Sequence, residues 1–271
     1  MGYWVTRTYI SGRVGEKTKY YVPGDRTRSK RKIKSAIKKQ EQNDASAEKQ
    51  LARLLNINFH KGDMLIGLDY SPEALEGLKK SIDVPDDSGH DMDELIYLRA
   101  CHELTLFIRR VKRELSKSEL DIMLAGITSD MDGDTGEHVR VHHHLVMRAV
   151  ISTGETADAE TQRKNNGIAL EVIKRKWTLG GVNFKPLREQ EDYTPIAHYF
   201  LSQVRKIADA KKYTTSRNLV RPTYKDRVVM SNAEIKIPAR CKLLHRTEYT
   251  PYKPQYVRYL LPDDKTTVQK E

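Results

Sequence analysis

Residues 120–150 read as one long hairpin, and that hairpin constrains the fold more than any other stretch. "LDIMLAGIT" (120–128) is an apolar strand, "MDGDTGE" (131–137) carries Asp and Gly turn chemistry, and "HVRVHHHLVMRAV" (138–150) returns. Side chains alternate along a strand. His138, Arg140, His142 and His144 therefore share one face, and Val139, Val141, His143, Leu145 and Met147 share the other. The second set is a core face with one polar member. The first is a polar row on an otherwise apolar strand, and a polar group that becomes buried needs a partner.

The rest of the chain supplies strands and helices in mixed order. Residues 3–23 alternate weakly and turn at Ser11-Gly12, the pattern of a short hairpin. "DMLIGLDYS" (63–71) is a short apolar run closed by Ser71-Pro72, a buried strand. An acidic, turn-rich loop follows at 83–93. From Glu94 to Leu115, Leu104, Ile108, Val111 and Leu115 recur at helical spacing. A helix is expected over 159–178, a short strand at "GGVNFKPL" (180–187), and a helix over 194–208 with Thr194 as N-cap and Pro195 at its first position. Beyond Arg221-Pro222 the pattern is less regular, and "PDDKTTVQKE" at the end reads as frayed. That order of elements implies an α+β fold: an antiparallel β-sheet with flanking helices.

Charge points to the partner. The net charge of +11 and a pI near 9.4 suit a polyanion, most often nucleic acid. "DRTRSKRKIKSAIKKQE" (25–41) concentrates that charge in a cationic helix running on towards Leu55; it is either a phosphate-contacting arm or a solvated charged face. "GRVGEKT" glances at a phosphate loop but lacks the Gly-Lys-Ser/Thr ending at the required spacing. Two cysteines, Cys101 and Cys241, are too few for a disulfide scaffold or a thiolate zinc site and fit a reducing cytoplasm. The first residues lack the long apolar run of a signal peptide, and no apolar run approaches the length of a membrane span. A cytoplasmic protein with no membrane partner is expected.

His142 and His144, two residues apart on one face, have the spacing to hold a single metal ion; an exposed sheet face would also account for two unrelated histidines. A third ligand would have to come from a neighbouring strand. The hairpin brings the end of "ITSDMD" (127–132) near His142, so Asp130 is the first candidate, with Asp132 and Asp69 behind it. Each is also an ordinary turn or strand-end aspartate.

On a helical wheel for 194–208, Ile196, Ala197, Phe200, Val204 and Ile207 make one apolar stripe. Tyr199 lies roughly 130° from its centre, in line with Gln203 and Lys206. Core packing does not explain an aromatic there, although half-exposed surface tyrosines are common. A phenol ionises near pH ~10 and is a poor nucleophile unassisted. A metal that polarises a phosphodiester, with a cation such as Lys206 to stabilise the developing phenolate, would make it competent.

These pieces together resemble the HUH endonucleases, and more narrowly the replication initiators of phages and plasmids that replicate by rolling circle. The resemblance runs from about Met64 to Pro222. "DMLIGLDYS" occupies the place of the family's first motif. "RVHHHLVM" occupies the second, with His142 and His144 as the metal pair, and "YTPIAHYFLSQVRK" the third, with Tyr199 as nucleophile. "KKYTTSRNLVRP" (211–222) is similar to the segment that follows the nucleophile helix in such initiators. The chain departs from the pattern in three places. His143 stands where the family has an apolar residue. Ser202 and Gln203 stand where it has a lysine, leaving Lys206 or Arg205 for that work. Tyr193 precedes the helix, which favours one nucleophilic tyrosine over two.

The resemblance implies a sheet of the HUH endonuclease type, magnesium or manganese as cofactor, and a single-stranded origin DNA substrate nicked through a 5′-phosphotyrosine. A host polymerase and helicase would act downstream in the cytoplasm of a bacterial host. Imidazole ligands alone would argue equally for zinc. Arg140, on the face of the two histidines, either contacts DNA or pairs with an acid. Three segments are expected: a basic extension over 1–60, a nicking domain over 61–225 and a C-terminal extension over 226–271. The rival readings are a transposase or relaxase using the same reaction, and a non-catalytic DNA-binding derivative of the fold, for which the missing lysine is the best argument.

Overall fold

The computed structural model describes residues 2–24, 36–82, 89–207, 210–230, 232–251 and 253–262, with the side chains of 36–42 excluded. The described elements run in the order β1 (Tyr3–Ser11), β2 (Val14–Val22), α1 (Ala36–Asn58), β3 (Met64–Asp69), α2 (Pro72–Lys80), α3 (Met92–Leu115), β4 (Leu120–Met131), β5 (His138–Ile151), α4 (Ala159–Lys176), β6 (Val182–Pro186), α5 (Thr194–Ser202), β7 (Thr214–Thr215), β8 (Tyr224–Val229), β9 (Lys242–Arg246) and β10 (Gln255–Leu260). The fold is α+β, with two antiparallel five-stranded sheets. Among the described residues no helix is long and apolar enough to cross a membrane.

The chain divides into two compact units. The three consecutive segments expected from the sequence are replaced by an interleaved arrangement. One unit gathers Met1–Ile57, Gln190–Thr194 and Val220–Glu271; the other holds Asn58–Glu189 and Pro195–Leu219. The reason is long-range strand pairing: β2 pairs with β10 from Val14↔Leu260 to Lys19↔Gln255, so the two chain ends build one sheet in the order β8-β1-β2-β10-β9. The expected N-terminal hairpin is present, turning at Gly12 with φ +60°. On one face of this sheet, Arg53 of α1 forks onto Glu16 at 3.0 and 2.7 Å and lies 3.6 Å over the Tyr9 ring. Leu51, Leu54 and Leu55 of the same helix are buried. Residues 25–35, most of the basic arm, and 263–271, the end expected to fray, lie outside the described residues.

The other unit is built on a sheet in the order β6-β3-β5-β4-β7, with β5 in the middle. Its first face carries the core. Met64, Ile66 and Leu68 of β3 pair with Met147, Leu145 and His143 of β5, and Ile122 and Leu124 of β4 pair with Ala149 and Met147. Against this face α3 lays Tyr97, Ala100, Leu104, Phe107, Val111 and Leu115, all buried. Their spacing of three and four is the helical period the sequence displays. The start of α3 is fixed by Asp91, whose carboxylate accepts from the Glu94 amide at 2.7 Å. Burying these apolar side chains stabilises the layer by roughly 1.5–3 kcal/mol each before entropy is subtracted.

Candidate functional site

The second face of the β6-β3-β5-β4-β7 sheet carries the polar row. Register puts Gly67 of β3 and Ile127 of β4 opposite His144, and Asp69 and Ser129 opposite His142. Cross-strand partners share a face, so these six positions form one patch. Small residues keep the patch open: at Gly67 a methyl group would meet only the Asn183 side chain at 3.6 Å. At Gly126 the constraint is the reverse. A Cβ there would stand 2.4 Å from the His144 carbonyl oxygen, so only glycine lets β4 run this close to β5.

Within the patch the His142 and His144 rings converge. Their Nε2 atoms are 2.9 Å apart and the ring planes are perpendicular. His142 Nδ1 is also 2.9 Å from the Arg140 carbonyl oxygen. A carbonyl only accepts, so Nδ1 carries the proton and Nε2 presents its lone pair towards His144. Burial pushes the His144 imidazole down to about 4, the nearby His142 pushes it further the same way, and a hydrogen bond that the ring donates to Gln203 opposes both. His144 is therefore neutral near pH 7, the form that binds metals. A proton shared between the two nitrogens, or a cation bound by both, is compatible with this separation. Metal–imidazole bonds run about 2.0–2.1 Å, so one ion can reach both nitrogens. The donor pair fits a divalent ion.

The third ligand is different. Asp130 does not join the pair. Ser129 ends the unbroken register opposite His142, so the next residue, Asp130, alternates to the other face, and the register shifts only beyond Ser129. The Asp130 carboxylate instead takes the Arg205 Nε at 2.6 Å, and Arg205 also lies 3.0 Å from His138 Nδ1. Asp130, His138 and Arg205 border a separate cavity of about 300 Å³ beside Tyr97. Asp132 is committed to the turn, where its Oδ1 accepts from the Asp134 and Thr135 amides. Asp69 is the acid on the correct face, and its Oδ2 accepts from Asn183 at 2.6 Å. Among the described residues no group of three His, Cys, Asp or Glu side chains is arranged to hold a metal.

Tyr199 comes from α5 and lies beside the pair. Its ring centre is 5.6 Å from that of His144, and it is 54% exposed, open to a ligand from solvent. The next residue, Phe200, is buried and stacks on His144 at 5.8 Å with ring planes 20° apart. Phe200 thus anchors the helix on the sheet while Tyr199, one position away, is turned to the open side. The hairpin tip also closes on this helix: a Cβ at Gly133 would stand 2.7 Å from Ser202 Oγ.

Lys206 does not follow Tyr199 on the helix. The helix ends at Ser202, six residues short of the expected end. The Tyr199 carbonyl accepts from Ser202 Oγ and from the Gln203 side-chain amide, both at 2.9 Å, and the Gln203 carbonyl accepts from Ser129 Oγ at 3.0 Å. Side chains satisfy the groups that a further helical turn would have used. Lys206 is exposed beyond that break, and Arg205 is held by Asp130. Tyr193 is buried before the helix with its amide bonded to Asn56, and is remote from nucleophile duty. Arg140 is exposed, and among the described residues it forms no ion pair.

His143 faces the opposite side. It is fully buried, with Nε2 2.9 Å from the Tyr70 hydroxyl and Nδ1 3.0 Å from Thr128 Oγ1. Burial pushes its imidazole down to about 3. Both ring nitrogens are occupied, so this residue is part of the core. Gln203 is the site residue that the sequence reasoning passed over as a mere replacement for lysine. Its position four residues after Tyr199 was the available signal.

No protein-family model, curated protein or solved structure matches the chain.

Proposed function

We propose that this protein nicks and rejoins single-stranded origin DNA, initiating rolling-circle replication, with Tyr199 as the nucleophile. His142 and His144 would hold a magnesium or manganese ion. When bound, that ion would polarise the scissile phosphate and neutralise charge that builds on it. The Tyr199 oxygen attacks phosphorus, a tyrosine–phosphate bond forms, and the bond from phosphorus to the 3′ oxygen breaks. The phenol loses one proton and the departing oxygen gains one, leaving a 5′-phosphotyrosine and a free 3′-hydroxyl. Rejoining runs the same steps backwards. The observation that carries this reading is the convergence of three side chains from two distant segments: paired imidazole nitrogens 2.9 Å apart with a half-exposed phenol ring 5.6 Å from one of them.

Gln203 acts through His144 and through the Tyr199 carbonyl, so one residue positions both the proposed ligand and the proposed nucleophile. Asp69 is the acid we assign as the third ligand, because it shares the face and the register position of His142.

A second reading, a DNA-binding derivative that no longer cuts, draws on the phenol's surroundings. Arg205 is tied to Asp130 and Lys206 lies past the end of the helix, so no cation is assigned to phenolate. One experiment separates the two. The protein is incubated with a fluorescent single-stranded oligonucleotide pool of random sequence and Mn²⁺, then run on a denaturing gel. A labelled protein band lost in Tyr199→Phe supports cutting. Oligonucleotide binding with no such band under Mg²⁺, Mn²⁺ or Zn²⁺ supports the second reading.

A further inference from the structure

The sheet built from the two chain ends has a second face, opposite the one Arg53 covers, and its residues fall into rows. Register sets Trp4 of β1 between Tyr21 of β2 and Val229 of β8. The next row reads Arg227, Thr6, Lys19, and the one after it Lys225, Thr8, Lys17. Successive rows on one face are two residues apart, about 7 Å. That step is comparable with the distance between neighbouring phosphates along an extended single strand of nucleic acid.

The rows border a groove of about 1050 Å³, roofed on one side by the segment from Ala233 to Cys241. The groove is strongly cationic. Lys17, Lys19, Lys225, Arg227, Lys236 and Arg240 line it against two acids. Both acids are already answered: Asp226 is bonded to Arg7 at 2.8 Å, and Glu234 to Arg246 at 2.6 Å. Among the described residues none of the six cations forms an ion pair. Lys19 is the extreme case. It is only 2% exposed, and its ammonium has no hydrogen-bond partner among the described residues. The nearest ring, Tyr249, is 5.6 Å away. Burial pushes the ammonium's pKa down and the charge of Glu234 offsets this only in part, so an arriving phosphate would relieve the cost. At the end of the rows Trp4 and Tyr21 stand 5.4 Å apart, and Tyr21 is 50% exposed, an aromatic surface open to unpaired bases.

We propose that this face binds single-stranded DNA, its lysine and arginine rows holding successive phosphates and the Trp4–Tyr21 pair stacking on bases. Charge complementarity selects a polyanion, and the exposed Tyr21 ring beside the partly buried Trp4 selects a single strand over a duplex, whose bases are already stacked. The binding is independent of the cutting proposed above. It requires neither the histidine pair nor Tyr199.

The test uses the full chain carrying Tyr199→Phe, in EDTA, with a fluorescein-labelled single-stranded oligonucleotide of mixed sequence read by anisotropy across a salt series. Each phosphate contact contributes about 0.7 to the slope of log K against log salt for a single strand. Lys225→Ala/Arg227→Ala, two exposed positions, should flatten the slope by about 1.4. Trp4→Ala/Tyr21→Ala should weaken binding about tenfold and leave the slope alone. Lys19→Met, which removes a buried charge without opening a cavity, should lower affinity while the thermal midpoint holds or rises. The slope is read in EDTA on a chain without the Tyr199 hydroxyl, which does not cut, so failure of cutting and failure of this site read differently. An unchanged slope in the Lys225/Arg227 variant overturns the proposal. So does an unlabelled duplex of equal length that displaces the strand as well as unlabelled single strand does.

Discussion

The two faces of the central sheet treat the same residue type in opposite ways. On the core face, His143 has both ring nitrogens engaged, by Tyr70 and Thr128, and is sealed under α3 and α4. On the other face, His142 and His144 each have one nitrogen turned to the other. Side-chain alternation alone separates them: one residue along a strand is one change of face. An imidazole with both nitrogens spent is a structural element, and one with a nitrogen to spare is available for chemistry. Tyr199 and Phe200 repeat the lesson on α5, where adjacent rings divide into an anchor and an open phenol.

Substitutions sharpen that contrast, beginning with the largest effect. Tyr199→Phe should abolish the covalent DNA adduct while leaving the thermal midpoint unchanged, because the lost hydroxyl belongs to a half-exposed side chain; a denaturing gel and a melting curve read both. His142→Ala/His144→Ala should remove the Mn²⁺ that calorimetry detects in the parent and also abolish the adduct. Gln203→Leu, which releases His144 and the Tyr199 carbonyl, should weaken Mn²⁺ binding by about 10–100-fold and leave some cutting at high metal.

His143→Leu should act in the opposite sense, on stability. It leaves the Tyr70 and Thr128 hydroxyls without their buried partner, for a loss of about 1–3 kcal/mol in urea denaturation. Its pH dependence follows from the His143 imidazole, held at about 3 in the fold against about 6.5 in the unfolded chain. The unfolded state binds the proton first. The stabilisation is therefore complete above pH ~6.5 and is lost as pH falls towards 3, at up to about 1.4 kcal/mol per pH unit. Leu at 143 should remove that one-proton slope, with the contribution of His144 remaining. The smallest effect is expected for Lys206→Ala, within about twofold on adduct formation, since the helix that would have carried it to the phenol ends at Ser202. A large loss there would return Lys206 to the site.

Much of this was legible in the sequence because it depends on local periodicity. The alternation in "HVRVHHHLVM" assigned His142 and His144 to one face and His143 to the other, and the spacing in α3 named its buried side. The wheel also set Tyr199 apart from the stripe of Ala197 and Phe200 correctly. It overran the helix because Val204 and Ile207 are buried too, in a segment whose backbone Gln203 and Ser129 have already turned. Burial continued after helicity stopped, and periodicity cannot tell those apart. Asp130 failed because the hairpin register was hidden: Ser129 is the residue opposite His142, so alternation turns Asp130 to the other face, and nothing in "ITSDMD" announces which of the two it is. The pairing of β2 with β10 was hidden by distance, with over 230 residues between their ends and the partners matched only in space.

The most direct test of the account is the chemical identity of the DNA-linked residue. After reaction with a single-stranded oligonucleotide and Mn²⁺, nuclease and trypsin digestion should leave one nucleotide-bearing peptide spanning residues 189–205, which contains both Tyr193 and Tyr199. Fragmentation by mass spectrometry should put the phosphodiester on Tyr199. A modification on Tyr193, on Tyr213 or on any other side chain would contradict the account, as would protein that binds the strand and carries no linked nucleotide under any divalent metal.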